Sequence, residues 1–464
     1  MKITILFVII VHFICLRIKN KENKCELSNI DFEKNIIYDN DFYKKFQNHF
    51  TLLNNDDIEY IFKIIDDNKI GEITIKQWKS FNREYIKTFV EQDKSNQCLV
   101  ENKNLAEYIF HNRINESFKY INENDFLFEK NGLFQMMTYI FSYVDKEISI
   151  SERDVDTIIT TFRPTYTLYN RETIIEICRI IKDYFKFGKS ITEGLISIKD
   201  INDYFINKNI HMYSIDYSML KEGLKNIKDY FGFKQFALFE IIGKMFHLIS
   251  SNGFTVKKNE LKSYLKKTNV YNLDMPTFQE NSYVNKTKSL FEQLSIENNN
   301  KKDFMNRLFI ASNYKKYNKN DELSFEEFIY LIKNIRLYKT LVNNEKNHLL
   351  NLSLFRNNNL LTSLLTKEEK ELISVITLKI KCKQINIIQF CQISNYQKYW
   401  NEYLSYNSNP LILYKDIFNL LKQIGLEMNN ENEDLSNIPL ANYEIAELKF
   451  SEEVFSSINA SCDK

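Results

Sequence analysis

Scarcity of chain breakers constrains this sequence more than any other feature. Only nine Gly and four Pro are spread over 464 residues. Turn-dense β architectures draw on Gly for left-handed backbone and on Pro for preset turns. A chain this poor in both favours long uninterrupted helices. Apolar residues make up 44% of it, enough to bury several cores. The expected fold is all-α and divided into more than one domain. Phe, Tyr and Trp are 14% of the chain, and many recur at helical spacing, as in Tyr399, Trp400 and Tyr403. That spacing assigns them to core filling, with peptide-accepting grooves as the functional alternative.

Against this helical background one loop stands out. Residues 66–77 read Asp-Asp-Asn-Lys-Ile-Gly-Glu-Ile-Thr-Ile-Lys-Gln, followed by Trp78. An EF-hand calcium loop places oxygen ligands at positions 1, 3, 5, 7, 9 and 12, with Gly at 6 for the sharp turn. Asp66, Asn68, Gly71, Glu72 and Thr74 take positions 1, 3, 6, 7 and 9. Ile73 at position 8 is the residue expected on a short strand between paired loops. Ile70 at position 5 supplies no side-chain oxygen, and Gln77 at position 12 is no bidentate carboxylate. Apolar residues at helical spacing flank the loop: Ile58, Ile61, Phe62 and Ile65 before it, Trp78, Phe81, Tyr85 and Phe89 after it.

A second such loop lies at residues 316–327. Asn318, Asn320, Glu322, Ser324 and Glu327 are its candidate ligands, and Leu323 its strand residue. Glu327 is the carboxylate missing from the first loop. Lys316 at position 1 places a cation where the first carboxylate belongs, which costs affinity. EF-hands come in pairs joined through position 8. A separation of 27 residues couples Ile73 to Val100, Leu323 to Leu350, and Ile385 to Ile412. More degenerate loops centre on Ile148, Ile196 and Val256.

Several function classes are disfavoured. Lys plus Arg is 62 against 61 for Asp plus Glu, so no net field draws the chain to nucleic acid. No phosphate loop, nucleophile elbow or metalloprotease motif occurs, and the six His are isolated from one another in sequence. These absences point away from an enzyme. The seven Cys form no CxxC pair, and buried free thiols are expected rather than a disulfide framework.

Residues 1–24 carry an apolar run, Ile3 to Leu16, bounded by Lys2 and by Arg17, Lys19, Lys21 and Lys24. They read as a signal peptide or, if uncleaved, a signal anchor, giving entry to the secretory pathway or ER lumen. A mitochondrial presequence is the alternative. The remaining chain divides into an EF-hand-like pair at 26–130, a middle helical EF-hand-like region at 131–290, a C-terminal EF-hand-like unit at 300–428 and a polar tail at 429–464.

The last third resembles the mitochondrial calcium uptake regulator family, EF-hand proteins that gate the uniporter. The resemblance rests on Glu322-Leu323-Ser324-Phe325-Glu326-Glu327-Phe328, Gln384-Ile385-Asn386-Ile387-Ile388-Gln389-Phe390 and the stretch Leu411 to Ile417. Gly194-Leu195-Ile196-Ser197, and Lys244-Met245-Phe246 followed by Asn252-Gly253, are similar to that family's earlier loops. The resemblance implies an array of EF-hand pairs that binds a protein partner under calcium control. That family's loops carry acids at positions 1, 3, 5 and 12, a pattern no loop here completes. A reticulocalbin-like luminal member of the superfamily fits the same residues.

The sequence therefore predicts an all-α array of degenerate EF-hand helix-loop-helix pairs. Its expected role is a protein-binding scaffold with calcium binding weak or lost. The alternative is a low-affinity luminal calcium-binding protein or sensor. Membrane contact is expected only through an uncleaved amino-terminal segment.

Overall fold

The computed structural model describes residues 32, 35–50, 53–89, 97–119, 130–162, 171–188, 190–192, 194–201, 230–268, 289–295, 301–315, 321–342, 349–357, 365–407, 411–426, 437–440 and 442–462. The amino-terminal segment 1–24 lies outside them, as do Asn318, Asn320 and the acidic run 429–434. The described chain is mostly helical, with strands of two or three residues. Two compact units emerge. One comprises Met1–Glu123 with Met136–Ser149, the other Asn124–Gln135 with Ile150–Lys464.

In the first unit, β1 (Ile36–Tyr38) pairs antiparallel with β2 (Glu72–Thr74), and Ile37 faces Ile73. Each strand runs directly into a helix, Asp39–His49 and Ile75–Phe89. Between them the helix Asn55–Ile65 shows how local sequence sets an element. Asn54 caps it, accepting from the Asp57 N–H while the Asp57 carboxylate accepts from the Asn54 N–H. Its stripe of Ile58, Ile61, Phe62 and Ile65 is buried. Trp78 sits edge-on to Phe32, Phe42 and Phe46, at centroid distances of 5.6, 6.0 and 5.6 Å. The core that forms includes Ile37, Ile73, Leu105 and Ile109. Arg113 donates to the buried Asp57 carboxylate at 2.7 Å and to the Tyr143 carbonyl at 2.9 Å.

The second unit repeats this small device. β3 (Leu195–Ser197) pairs with β4 (Tyr230–Gly232), β5 (Thr255–Lys257) with β6 (Glu322–Ser324), and β7 (Leu350–Asn351) with β8 (Gln384–Ile385). An isolated bridge joins Leu413 to Pro439. The long helix Phe325–Val342 packs on Phe233–Ile249 and on Ile387–Tyr406. Arg179, buried on the helix Arg171–Phe185, reaches Glu176, Asp183 and Glu240 at 2.8 to 3.2 Å. Burial alone would raise the Glu176 pKa, but Arg179 and Lys244 outweigh it and hold the carboxyl down to about 2.

Four sequence expectations are corrected here. The 27-residue pairing fails: Ile73 pairs with Ile37, Leu323 with Val256, and Ile385 with Leu350. Val100 lies within the helix Gln97–Phe118, and Ile412 is bonded beside Pro439, its carbonyl accepting from the Leu440 N–H. The physical reason is reach. Two helices of 11 residues and a linker separate Ile37 from Ile73, a span of 36 residues, and Leu350 to Ile385 likewise spans 35 residues with two helices between. Second, the β5–β6 sheet crosses the boundary drawn between 290 and 300. Third, the segment read as a polar tail contains the helix Tyr443–Cys462, which buries Phe450, Val454, Phe455 and Ile458. Charge before that helix masked an apolar stripe within it.

Fourth, Cys382 and Cys462 form a disulfide. Their 80-residue separation hid the pair, which exists because the last helix returns to the loop ahead of β8. Cys178 and Cys391 are buried free thiols, as expected. Among the described residues no helix is long and apolar enough to cross a membrane.

Candidate functional site

The segment Asp66–Gln77 spans 12 residues between the helix Asn55–Ile65 and the first turn of Ile75–Phe89. Asp66, almost fully buried, accepts from the Ile70 N–H at 3.2 Å and from the Gly71 N–H at 2.8 Å. The turn requires left-handed backbone at Gly71, where φ is +81°. Asn68 is exposed on the loop, and Glu72 opens β2 opposite Tyr38. At the far end the Gln77 side chain closes the loop. Its carbonyl oxygen accepts from the Thr74 N–H at 2.8 Å and the Thr74 hydroxyl at 2.7 Å. Its amide donates to the Ile65 carbonyl at 3.3 Å and to Asp67 Oδ1 at 2.5 Å.

The loop ending at Glu327 is closed at the same two places by a carboxylate. The Lys315 N–H donates to Glu327 Oε1 at 2.7 Å, and the Ser324 N–H to Oε2 at 2.8 Å. Ser324 Oγ accepts from the Glu327 N–H at 3.3 Å in return. Glu327 is fully buried. Burial pushes its carboxyl up to about 7 against the pull of those two N–H donors and of Lys315. Asp321, with φ of +52°, holds the left-handed position that Gly71 holds in the first loop. Its carboxylate pairs with Lys258 at 2.7 Å, and Glu322 accepts from the Thr255 hydroxyl at 2.7 Å. Both bonds tie β6 to its partner β5. Asn318 and Asn320 are outside the described residues.

The same closure recurs where the sequence reading named no ligand. Glu260, beyond β5, accepts from the Ser251 N–H at 3.2 Å and the Lys257 N–H at 2.8 Å. Modest burial would raise its pKa, but these hydrogen bonds prevail and lower it. Gln389 accepts from the Asn386 N–H at 2.9 Å and donates to Ser461 Oγ at 3.0 Å. Gln235 accepts from the Gly232 N–H at 3.2 Å. A polar residue three places after the last strand or cap position was the available signal. The signal is weak at Glu260, because Lys257 is not a capping side chain.

The structure thus brings Thr74 and Gln77 together, with Asp67 rather than Asp66 against the Gln77 amide, and Ser324 with Glu327. Calcium requires six to eight oxygens with carboxylates prominent among them. Among the described residues no three of His, Cys, Asp and Glu converge in a metal-sized cluster. In the first loop the Asp66 carboxylate is taken up by the Ile70 and Gly71 N–H groups, and the Gln77 amide turns its donors on the Ile65 carbonyl and on Asp67. These residues fit a high-affinity calcium site poorly. What the arrangement does chemically is satisfy the backbone groups that a helix start leaves unbonded. Comparison with protein-family models, curated proteins and solved structures finds no match.

Proposed function

We propose that the chain is a divergent EF-hand array serving as a protein-binding scaffold, with calcium binding weak or lost. The observation that carries this reading is the engagement of Gln77 and Glu327 with the backbone of their own loops. Those bonds engage, in each loop, the side chain that an ion would otherwise use. Strand pairs such as Ile37 with Ile73 and Val256 with Leu323 support the assignment to paired EF-hands. The helix Tyr443–Cys462, seated by Phe450, Val454 and Ile458 against the helices Ile387–Tyr406 and Tyr414–Gln423, supports helix-in-groove recognition as the binding mode. The role is binding rather than catalysis, with a protein and not nucleic acid as partner.

A low-affinity luminal calcium sensor is the second reading. It is favoured by the 12-residue length of Asp66–Gln77, the left-handed Gly71 and the inward Asp66 carboxylate. The secretory pathway or ER lumen is the proposed location, supported by the Cys382–Cys462 disulfide, which persists in oxidising compartments. A mitochondrial location remains the alternative.

Thermal unfolding in EGTA and in millimolar calcium, with magnesium as control, tests the choice. The scaffold reading expects coincident curves. A calcium-specific rise in Tm that Asp66→Ala removes would replace it with the sensor reading.

A further inference from the structure

Beside the helix Ile387–Tyr406 lies a cavity of about 350 Å³, toward the lower end of the roughly 300–1,000 Å³ typical of small-molecule sites. Tyr399, Glu402, Tyr403 and Tyr406 line it from that helix. They stand at i, i+3, i+4 and i+7, a spacing that puts all four on one face. Tyr314 and Leu420 contribute from neighbouring segments. Four tyrosines and one carboxylate therefore share a single small space.

The hydroxyls of Tyr399 and Tyr403 are committed to the protein. Tyr399 donates to the Ile310 carbonyl, and Tyr403 accepts from Asn407 Nδ2 at 2.8 Å. What these residues offer a ligand is ring surface. The Tyr403 ring is fixed by Trp400, stacked on it with centroids 5.6 Å apart, and Trp400 stacks in turn on Phe450. Tyr314 is set edge-on to Tyr399 at 6.3 Å. Glu402 is half-buried, and no cation bonds it among the described residues. Behind the Tyr314 wall lies Lys398, whose Nζ is over the Tyr330 ring and 5.5 Å from the centroid of Tyr314. Burial, with Lys333 adding to it, pushes Lys398 down to about 6. Lys315, next to Tyr314, is paired with Glu326 at 2.5 Å.

Aromatic faces attract organic cations through the ring quadrupole, and a half-buried carboxylate adds a full charge. We propose that this cavity is a binding site for an alkylammonium group, held among Tyr314, Tyr399, Tyr403 and Tyr406 and neutralised by Glu402. The group belongs either to a free quaternary amine or to a methylated lysine on a partner. The site stands on its own geometry and does not depend on the scaffold reading.

Isothermal titration of the full chain provides the test, with choline as the probe and its uncharged isostere 3,3-dimethyl-1-butanol as the comparison. Choline is expected to saturate one site, with the isostere at least about tenfold weaker. Glu402→Gln and Tyr406→Ala, both at incompletely buried positions, are each expected to weaken choline about tenfold while leaving Tm unchanged. A trimethyllysine peptide that binds more tightly than choline assigns the source to a partner side chain; the reverse order assigns it to a free amine. Equal binding of choline and the isostere, or no saturable heat with choline, overturns the proposal. So does unchanged choline affinity in a correctly folded Glu402→Gln variant.

Discussion

The loops that end at Gln77 and at Glu327 solve one problem with opposite chemistry. Both side chains bond the N–H of the residue three places earlier, and both reach back to the residue that leads into the loop. Gln77 has a donor and an acceptor, so it can bond the Ile65 carbonyl. Glu327 has acceptors only, so it must find the Lys315 N–H instead. The amide is partly exposed and carries no charge. The carboxylate is buried and has been pushed toward neutrality. The comparison teaches that the terminal loop residue serves the helix start first, and that ion binding is a further demand on a group already in use.

The largest expected break in the symmetry comes from alanine. Glu327→Ala strands two N–H groups in a buried site and should cost about 3 kcal/mol in urea unfolding. Gln77→Ala, in a wetter site, should cost about 1 kcal/mol. Equal costs would mean that burial does not set the value of the closure.

Titration should separate the two loops next. A folded-state pKa near 7, above the ordinary value of 4.5, means that the native state holds its proton more tightly. The Glu327 contribution is therefore fully present below pH 4.5 and is lost as pH rises through 7. The stability difference between the wild type and Glu327→Gln, measured by denaturant titration, should shift by roughly 2–3 kcal/mol across that window. Gln77→Ala should show no such dependence on pH.

The loop closed by Gln389 adds a third arrangement, because the Cys382–Cys462 bond ties it covalently to the end of the last helix. Cys462→Ser should lower stability by about 2–4 kcal/mol, and the loss should match that caused by reductant in the wild type.

Gln77→Glu should have the smallest effect in buffer, about 1 kcal/mol of destabilisation, since a carboxylate then faces the Ile65 carbonyl and Asp67. It also installs the missing acid in the one described loop of full length. Millimolar calcium should recover that loss as a rise in Tm, and an unchanged Tm would show that the loop lacks ligands beyond position 12.

Much of the fold was legible where a residue's role is local. Of the residues assigned to position 8 of a loop, Ile73, Leu323, Leu350, Ile385, Ile196 and Val256 lie on strands, whereas Val100, Ile148 and Ile412 do not. Their partners were not legible. A pairing of two or three residues has too little side-chain specificity to select its mate, and helix packing decides it. Ile37 and Phe231 were missed for that reason. The site was ambiguous at a deeper level. Ser324-x-x-Glu327 is both positions 9 and 12 of a calcium loop and a capping box. Those two readings use the same atoms, so no inspection of residue types can separate them.

The bond between Cys382 and Cys462 has a consequence for proteolysis. A single cut anywhere from residue 383 to residue 461 would divide the backbone without dividing the molecule. The helix Tyr443–Cys462 would remain tethered at its last residue, still beside the groove it fills. Such a nicked protein would migrate as one species until reductant released the fragment, so a protease and a thiol would have to act together to empty that groove.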